Sequence, residues 1–279
     1  MFTQLTDSAK AFVFYGIAFG LTFSACLLAP LLGDATPVVH MLTPFLAILL
    51  MLLVVTRDGY SRASWGALGL QRVGLRSWPL ALLIPLLVLS IAFGLVWSSG
   101  VAQVTMPAEY TLGVLPLVFV NVLVMACVFA LSEQLGFRGY LLPRLTQLGT
   151  ARSLLLSGLL HGVWHLPLLL LTPYYHSGGN RLVVVSLFLL TMTASGVFFG
   201  YLRLTSGSIW PPTLAHGAFN TFWTLFSQFT IASSPLALEY LAGESGVLTL
   251  VGTALVAAWL VARLRQRRGT MAVQLPAGV

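Results

Sequence analysis

LGVLPLVFVNVLVMACVFALSEQLGFRGY, residues 112–140, decides the fold class. From Leu112 to Ser132 no side chain is charged, and the apolar residues lack the strict alternation of a barrel strand. An uncharged run of about 20 residues is the length at which an α-helix crosses the hydrocarbon core of a bilayer. Lipid offers the backbone no hydrogen-bond partner, so a spanning chain must be a helical bundle or a closed barrel. The pattern selects the bundle.

Working outward, similar stretches recur at 11–31, 38–56, 78–98, 153–173, 181–202, 208–230 and 246–263, giving about eight transmembrane helices with 112–134. Polar or glycine-rich breaks separate them: Gly33-Asp34, Arg57-Asp58-Gly59, Ser98-Ser99-Gly100, Ser177-Gly178-Gly179-Asn180 and Ser206-Gly207-Ser208. The totals agree. Of 279 residues 58% are hydrophobic and 8% charged, against about 25% charged in an ordinary soluble domain. Mean hydropathy is +0.93. With no long linker, low-complexity block or clear repeat, residues 1–279 read as one all-α integral-membrane domain.

Cys26 and Cys127 both fall in apolar stretches and read as small core residues rather than a disulfide or a metal pair. Thr22-Phe23-Ser24-Ala25-Cys26 faintly suggests a lipoprotein processing site, but Phe23 fits it poorly and the apolar run continues to Pro30. An uncleaved first helix is expected.

Basic residues set the expected orientation. With the N-terminus in the cytoplasm, thirteen of the fourteen basic residues lie inside and Arg181 alone lies outside; the C-terminus is then also inside. The net charge of +7 is thereby explained by topology anchors and lipid headgroups, and no nucleic-acid partner is implied.

Six of the seven acids, namely Asp7, Asp34, Asp58, Glu109, Glu239 and Glu244, fall in loops or at termini. Glu133 alone ends an apolar run with further apolar residues beyond it. A charge at mid-bilayer costs roughly 2.5–3.5 kcal/mol on insertion scales, so a carboxylate held there calls for a function. The bland alternative is an interfacial Glu133 paired with Arg138. His40 and His176 lie at outer boundaries and receive no role. His161, His165 and His216 lie within apolar stretches. His161 and His165 are four apart, as are His216 and Asn220, so each pair occupies one helical face and can present two polar groups to one cavity.

These residues resemble the motifs of a known family. Glu133-Gln134-Leu135-Gly136-Phe137-Arg138-Gly139-Tyr140-Leu141 resembles the first motif of the CPBP (Abi) intramembrane proteases, relatives of the type II CAAX prenyl endopeptidases, which reads Glu-Glu-x-x-x-Arg. His161-Gly162-Val163-Trp164-His165 resembles the second, Phe-x-x-x-His, and His216-Gly217-Ala218-Phe219-Asn220 the third, His-x-x-x-Asn. All three stand in the family's order within a motif-bearing core of about 112–230. Gln134 departs from the usual second glutamate, and His161 from the usual aromatic residue.

The resemblance implies an intramembrane endopeptidase. Glu133 would be the general base that activates water and His165 would help to hold it. His216 and Asn220 would donate to the oxyanion. Gln134, Arg138 and His161 would support them. A metal-free reaction is favoured. In a zinc version the ligands would come from His161, His165, His216 and Glu133, but the sequence lacks the glutamate directly after the first histidine of a His-Glu-x-x-His peptidase. The expected substrate is a membrane-embedded or lipid-anchored peptide or protein. The expected place is a bacterial plasma membrane, with the site open to the cytoplasm. A non-catalytic relative acting in immunity or as a scaffold is the main alternative, since Gln134 cannot titrate. A transporter is a weaker one, because neither inverted repeats nor paired broken helices are visible; Pro167, Pro211 and Pro212 would bend helices in either case.

Overall fold

In the computed structural model, residues 5–108, 110–175 and 178–273 are described, residues 267–273 by their backbone alone. Glu109 and His176 therefore fall outside the described residues. Eight long helices follow the apolar stretches: α1 (Asp7–Leu27), α2 (Thr36–Leu50), α3 (Trp78–Ser98), α4 (Leu115–Gln134), α5 (Thr150–Leu171), α6 (Arg181–Ser206), α7 (Trp210–Gln228) and α8 (Val247–Val273). Local chemistry sets several ends. The Thr6 hydroxyl accepts from the amide of Ala9 at the start of α1, and the Asn180 side chain accepts from Leu182 and Val183 at the start of α6. Prolines occupy the first turns of α3, α4 and α7, where no intrahelical N–H is needed.

The bundle is turned inside out relative to a water-soluble protein. Leu83, Leu87, Ile91 and Leu95 form an exposed apolar stripe along α3, and Val120, Val124 and Val128 do the same on α4. The buried set instead includes Glu133, Gln134, Arg138, His161, His165 and His216. Lipid solvates the first group and only protein can satisfy the second. This is a polytopic helical membrane protein.

Among the described residues, seven helical stretches are long and apolar enough to cross a membrane, where the sequence suggested eight. The helix that falls short is α7, whose sequence WPPTLAHGAFNTFWTLFSQ spends many positions on polar groups and prolines. It packs against α3, α4 and α6, so its surroundings are mainly protein rather than lipid.

Close crossings bring the motif helices together. A Cβ on Gly158 of α5 would lie 2.6 Å from the Thr193 carbonyl oxygen of α6, and one on Gly196 would strike Gly158 itself. At Gly217 of α7 an added Cβ would lie 2.5 Å from the Cys127 sulfur of α4. Small residues let backbones approach where no apolar driving force separates helix from lipid. Both cysteines are free; Cys26 is buried and Cys127 half-buried.

The two ends of the bundle differ. At one end Gln147 donates to Ser8 at 2.6 Å, Arg203 donates to the Ala67 carbonyl at 2.8 Å, and the Ser208 hydroxyl donates to the Arg72 carbonyl. Leu148 and Arg152 share a cleft there with Leu264 and Arg265 of α8. At the opposite end two short antiparallel strands, β1 (Ala102–Val104) and β2 (Thr230–Ala232), pair with Gln103 facing Ile231. Tyr110 donates to Gln228 at 3.0 Å, and the Asn180 amide donates to the Tyr240 hydroxyl at 2.7 Å. Lys10, Arg57, Arg62, Arg72, Arg76, Arg144, Arg152, Arg203, Arg263 and Arg265 belong to the first end. Among the described residues the second end carries Arg181 with Asp34, Glu239 and Glu244.

Candidate active site

Glu133 ends the regular part of α4, and the chain then winds as a π-helix over Leu135–Leu141, all of it buried. On a 3.6-residue turn Arg138 would stand about 140° round from Glu133. The wider winding narrows that gap and turns both side chains inward; such turns recur at functional sites. Arg138 meets the carboxylate through an intermediary. Its Nη1 donates to His161 Nδ1 at 2.7 Å, and His161 Nε2 lies 2.8 Å from Glu133 Oε2.

That chain determines a proton's position. A guanidinium only donates, so His161 Nδ1 accepts and the ring proton sits on Nε2, from which it is donated to Glu133. His161 is wholly buried and stacks on Phe137 with 4.3 Å between ring centres. The bland alternative, a direct pairing of Glu133 with Arg138, is not what the structure has: His161 fills the space between them and relays the contact.

His165 is held from the other side, by a residue to which the sequence assigned no role. His40 of α2 is fully buried, and its Nε2 lies 3.1 Å from His165 Nδ1. Behind it Thr22 Oγ1 of α1 is 2.7 Å from His40 Nδ1 and 3.1 Å from Thr43 Oγ1. Two groups of known polarity anchor this network. The Trp164 indole N–H donates to Thr43 Oγ1 at 3.1 Å, and the Thr43 hydroxyl donates to the His40 carbonyl at 2.9 Å. Thr43 has then spent its proton, so Thr22 donates to it and in turn accepts from His40 Nδ1–H. With neutral rings His40 Nε2 accepts from His165 Nδ1–H, which leaves the lone pair of His165 Nε2 facing Glu133 Oε2 at 3.7 Å. That separation is too long for a direct bond and suits two groups that share a water. A signal for His40 did exist in the sequence. Thr36, His40 and Thr43 fall on one helical face of an otherwise apolar stretch, and all three are buried.

His216 is the third imidazole. Its Nδ1 is 3.0 Å from Gln134 Nε2 and 4.0 Å from Glu133 Oε2, and its ring stacks on Phe199. The Gln134 amide N–H donates to Nδ1, so the ring proton is on Nε2. Gln134 thus holds His216 rather than Glu133 or a water. Gln134 Oε1 is buried without a hydrogen bond, and so are Nε and Nη2 of Arg138, whose guanidinium lies 5.4 Å from the Phe199 ring centre.

Glu133, His165, His216 and Asn220 line one cavity of about 260 Å³. Its other walls include Pro37 and His40 from the start of α2, Tyr174 and Tyr175 after α5, Trp223 of α7, and Glu244. Tyr175 donates to Glu244 Oε2 at 2.5 Å; burial, reinforced by that carboxylate, pushes its hydroxyl pKa well above the usual value, so it stays protonated. Glu133, His161 and His165 also offer ligand atoms within 4.8 Å of one another, close enough for a metal ion. Part of its wall, from Pro37, Tyr174, Tyr175 and Glu244, comes from the arginine-poor end of the bundle.

Residues 114–222 match the family model described as type II CAAX prenyl endopeptidase Rce1-like. The segment is Rce1-like. It contains all seven residues singled out for the site, from Glu133 to Asn220, and agrees with the resemblance read from the three motifs. Thr22, His40 and Thr43 lie outside the Rce1-like segment. No curated protein matches the chain.

Proposed function

We propose that the chain is an intramembrane endopeptidase that hydrolyses a peptide bond of a membrane-associated peptide or protein, with Glu133 as general base. The observation that carries this reading is the pairing of a buried Glu133 Oε2 with the lone pair of His165 Nε2, 3.7 Å away, on the wall of an accessible cavity. A water donating to both has its own lone pairs directed into the cavity. Glu133 takes one proton as the water oxygen attacks the scissile carbonyl, and returns it to the leaving amine as the C–N bond breaks. His216 Nε2–H and the Asn220 amide are the donors for the oxyanion, a role worth about 10²–10³ in rate per donor. Gln134 orients His216 and needs no charge for that, so its departure from the family's second glutamate leaves the scheme intact. His161 and His40 act as positioning residues on opposite sides, holding Glu133 and His165.

Two contacts support the metal-free version. His161 Nδ1 is occupied by Arg138, and its Nε2 carries the proton given to Glu133, so it has no lone pair for an ion. A guanidinium one residue removed from the site further disfavours a dication. As arranged, the group is a poor zinc site.

The test is cleavage of a quenched fluorescent peptide library by purified protein in detergent, with and without a chelator. Wild type should cleave in both conditions, and Glu133→Gln should lose about 10³-fold or more of the rate. Activity retained by Glu133→Gln would sink the assignment of the base, and activity lost to the chelator would restore the zinc version.

A further inference from the structure

The side from which substrate arrives can be read from the relation between cavity and charge. The arginine-rich end is closed over. Residues 56–77 fold across it: Leu68 packs on Gly139, where an added Cβ would lie 3.1 Å from the Leu68 carbonyl, and Gly74 packs on Pro211 and Ser208. Beneath them Phe14, Met51, Phe137, Tyr140 and Trp164 form one buried apolar cluster. No lining residue of the Glu133 cavity comes from those segments.

The other end is open. A second cavity of about 530 Å³ shares Tyr174, Tyr175 and Trp223 with the catalytic one and reaches Gly179, Leu236 and Glu239. Together they form a vestibule leading from the arginine-poor surface to Glu133. Loops rich in arginine stay in the cytoplasm, because basic residues close to a spanning helix resist translocation. Ten basic residues stand at the closed end and Arg181 at the open one, among the described residues.

We infer that the cavity takes its substrate from the extracytoplasmic face, as an extended segment of an exported polypeptide lying near the membrane surface. This rests on the protease reading for what happens at Glu133, but not for the side of entry. Aromatic walls suit such a segment, since Tyr and Trp offer large contact area at the membrane interface while their polar tips stay hydrated. A tail that remains in the cytoplasm would have no path to Glu133.

The test uses the full chain with Cys26 and Cys127 replaced by alanine, carrying either Leu236→Cys in the vestibule or Leu75→Cys at the arginine-rich end. Both leucines are exposed, so neither change disturbs the core. A membrane-impermeant maleimide is applied to sealed right-side-out and inverted vesicles. The Leu236→Cys variant should label in right-side-out vesicles and be spared in inverted ones, and Leu75→Cys should do the opposite. The reverse pattern overturns the inference. A saturating peptide library added outside should then slow labelling of Leu236→Cys and leave Leu75→Cys unaffected. Correct sidedness without that protection overturns the vestibule as the route. Protection without cleavage would sink the protease reading and leave the route standing.

Discussion

The Rce1-like segment and the first two helices make an instructive contrast. The segment supplies the four cavity-lining groups proposed to touch the reacting atoms: Glu133, His165, His216 and Asn220. α1 and α2 lie outside the matched residues, yet they supply Thr22, His40 and Thr43, which decide which nitrogen of His165 carries its proton. In the proposed reaction one region carries the chemistry and the other sets its protonation pattern. Motif residues can be recognised one by one because the reaction dictates their type. A supporting network need only end in the right donor or acceptor, so many side chains could serve and no motif marks them.

The contrast can be broken by substitutions in each region. The largest effect after loss of Glu133 is expected at the proposed oxyanion donors. His216→Ala should lower kcat by about 10²–10³, with Asn220→Ala comparable, and a stopped-flow or fluorescence assay reads both. A mere KM change at these positions would assign them to substrate binding instead. Removing the supporting imidazole should cost less. His40→Leu should reduce kcat on the order of 10–100-fold with KM unchanged, as for other residues that orient a reacting group from behind. Its nitrogen-15 spectrum should show His165 losing the fixed Nδ1–H form, while His40→Gln, whose amide oxygen can accept from that N–H, should recover much of the rate. An unchanged His165 spectrum in His40→Leu would mean that α2 only packs against the site. The smallest effect belongs to the end of the chain: Thr22→Val should lower kcat by a few-fold, on the scale of one net hydrogen bond of about 1 kcal/mol. A loss at Thr22 larger than that at His40 would reverse the order of the relay.

The ends of the bundle give a second contrast, between legible charge and illegible shape. Arginine placement is visible in the sequence and divides the loops into two sets. The direction in which the cavity opens is not visible there, because it depends on which loop folds inward. Residues 56–77 hold no feature that marks them as a cover. They close one end because Leu68 meets a glycine and Ser208 meets the Arg72 carbonyl, both contacts between distant parts of the chain.

The amino-acid sequence by itself determined the class of the molecule, the approximate spans and the identity of the residues at the centre. Each of these follows from a local rule: about 20 apolar residues span lipid, and a carboxylate or imidazole among them demands a reason. The weaker apolarity of α7 was equally present in its polar residues, although only its packing explains why the bundle tolerates them. Tertiary structure alone decided the partners. His40 became part of the site because α2 lies against α5 at the level of His165, and Arg138 came under His161 because a π-turn rewound the helix between it and Glu133. Proton positions, cavity shape and the open end depend on contacts between residues far apart in the chain, 125 positions for His40 and His165 and 136 for Arg72 and Ser208. Hydropathy and helical period describe a helix one turn at a time, so they carry no information about which other helix will stand beside it.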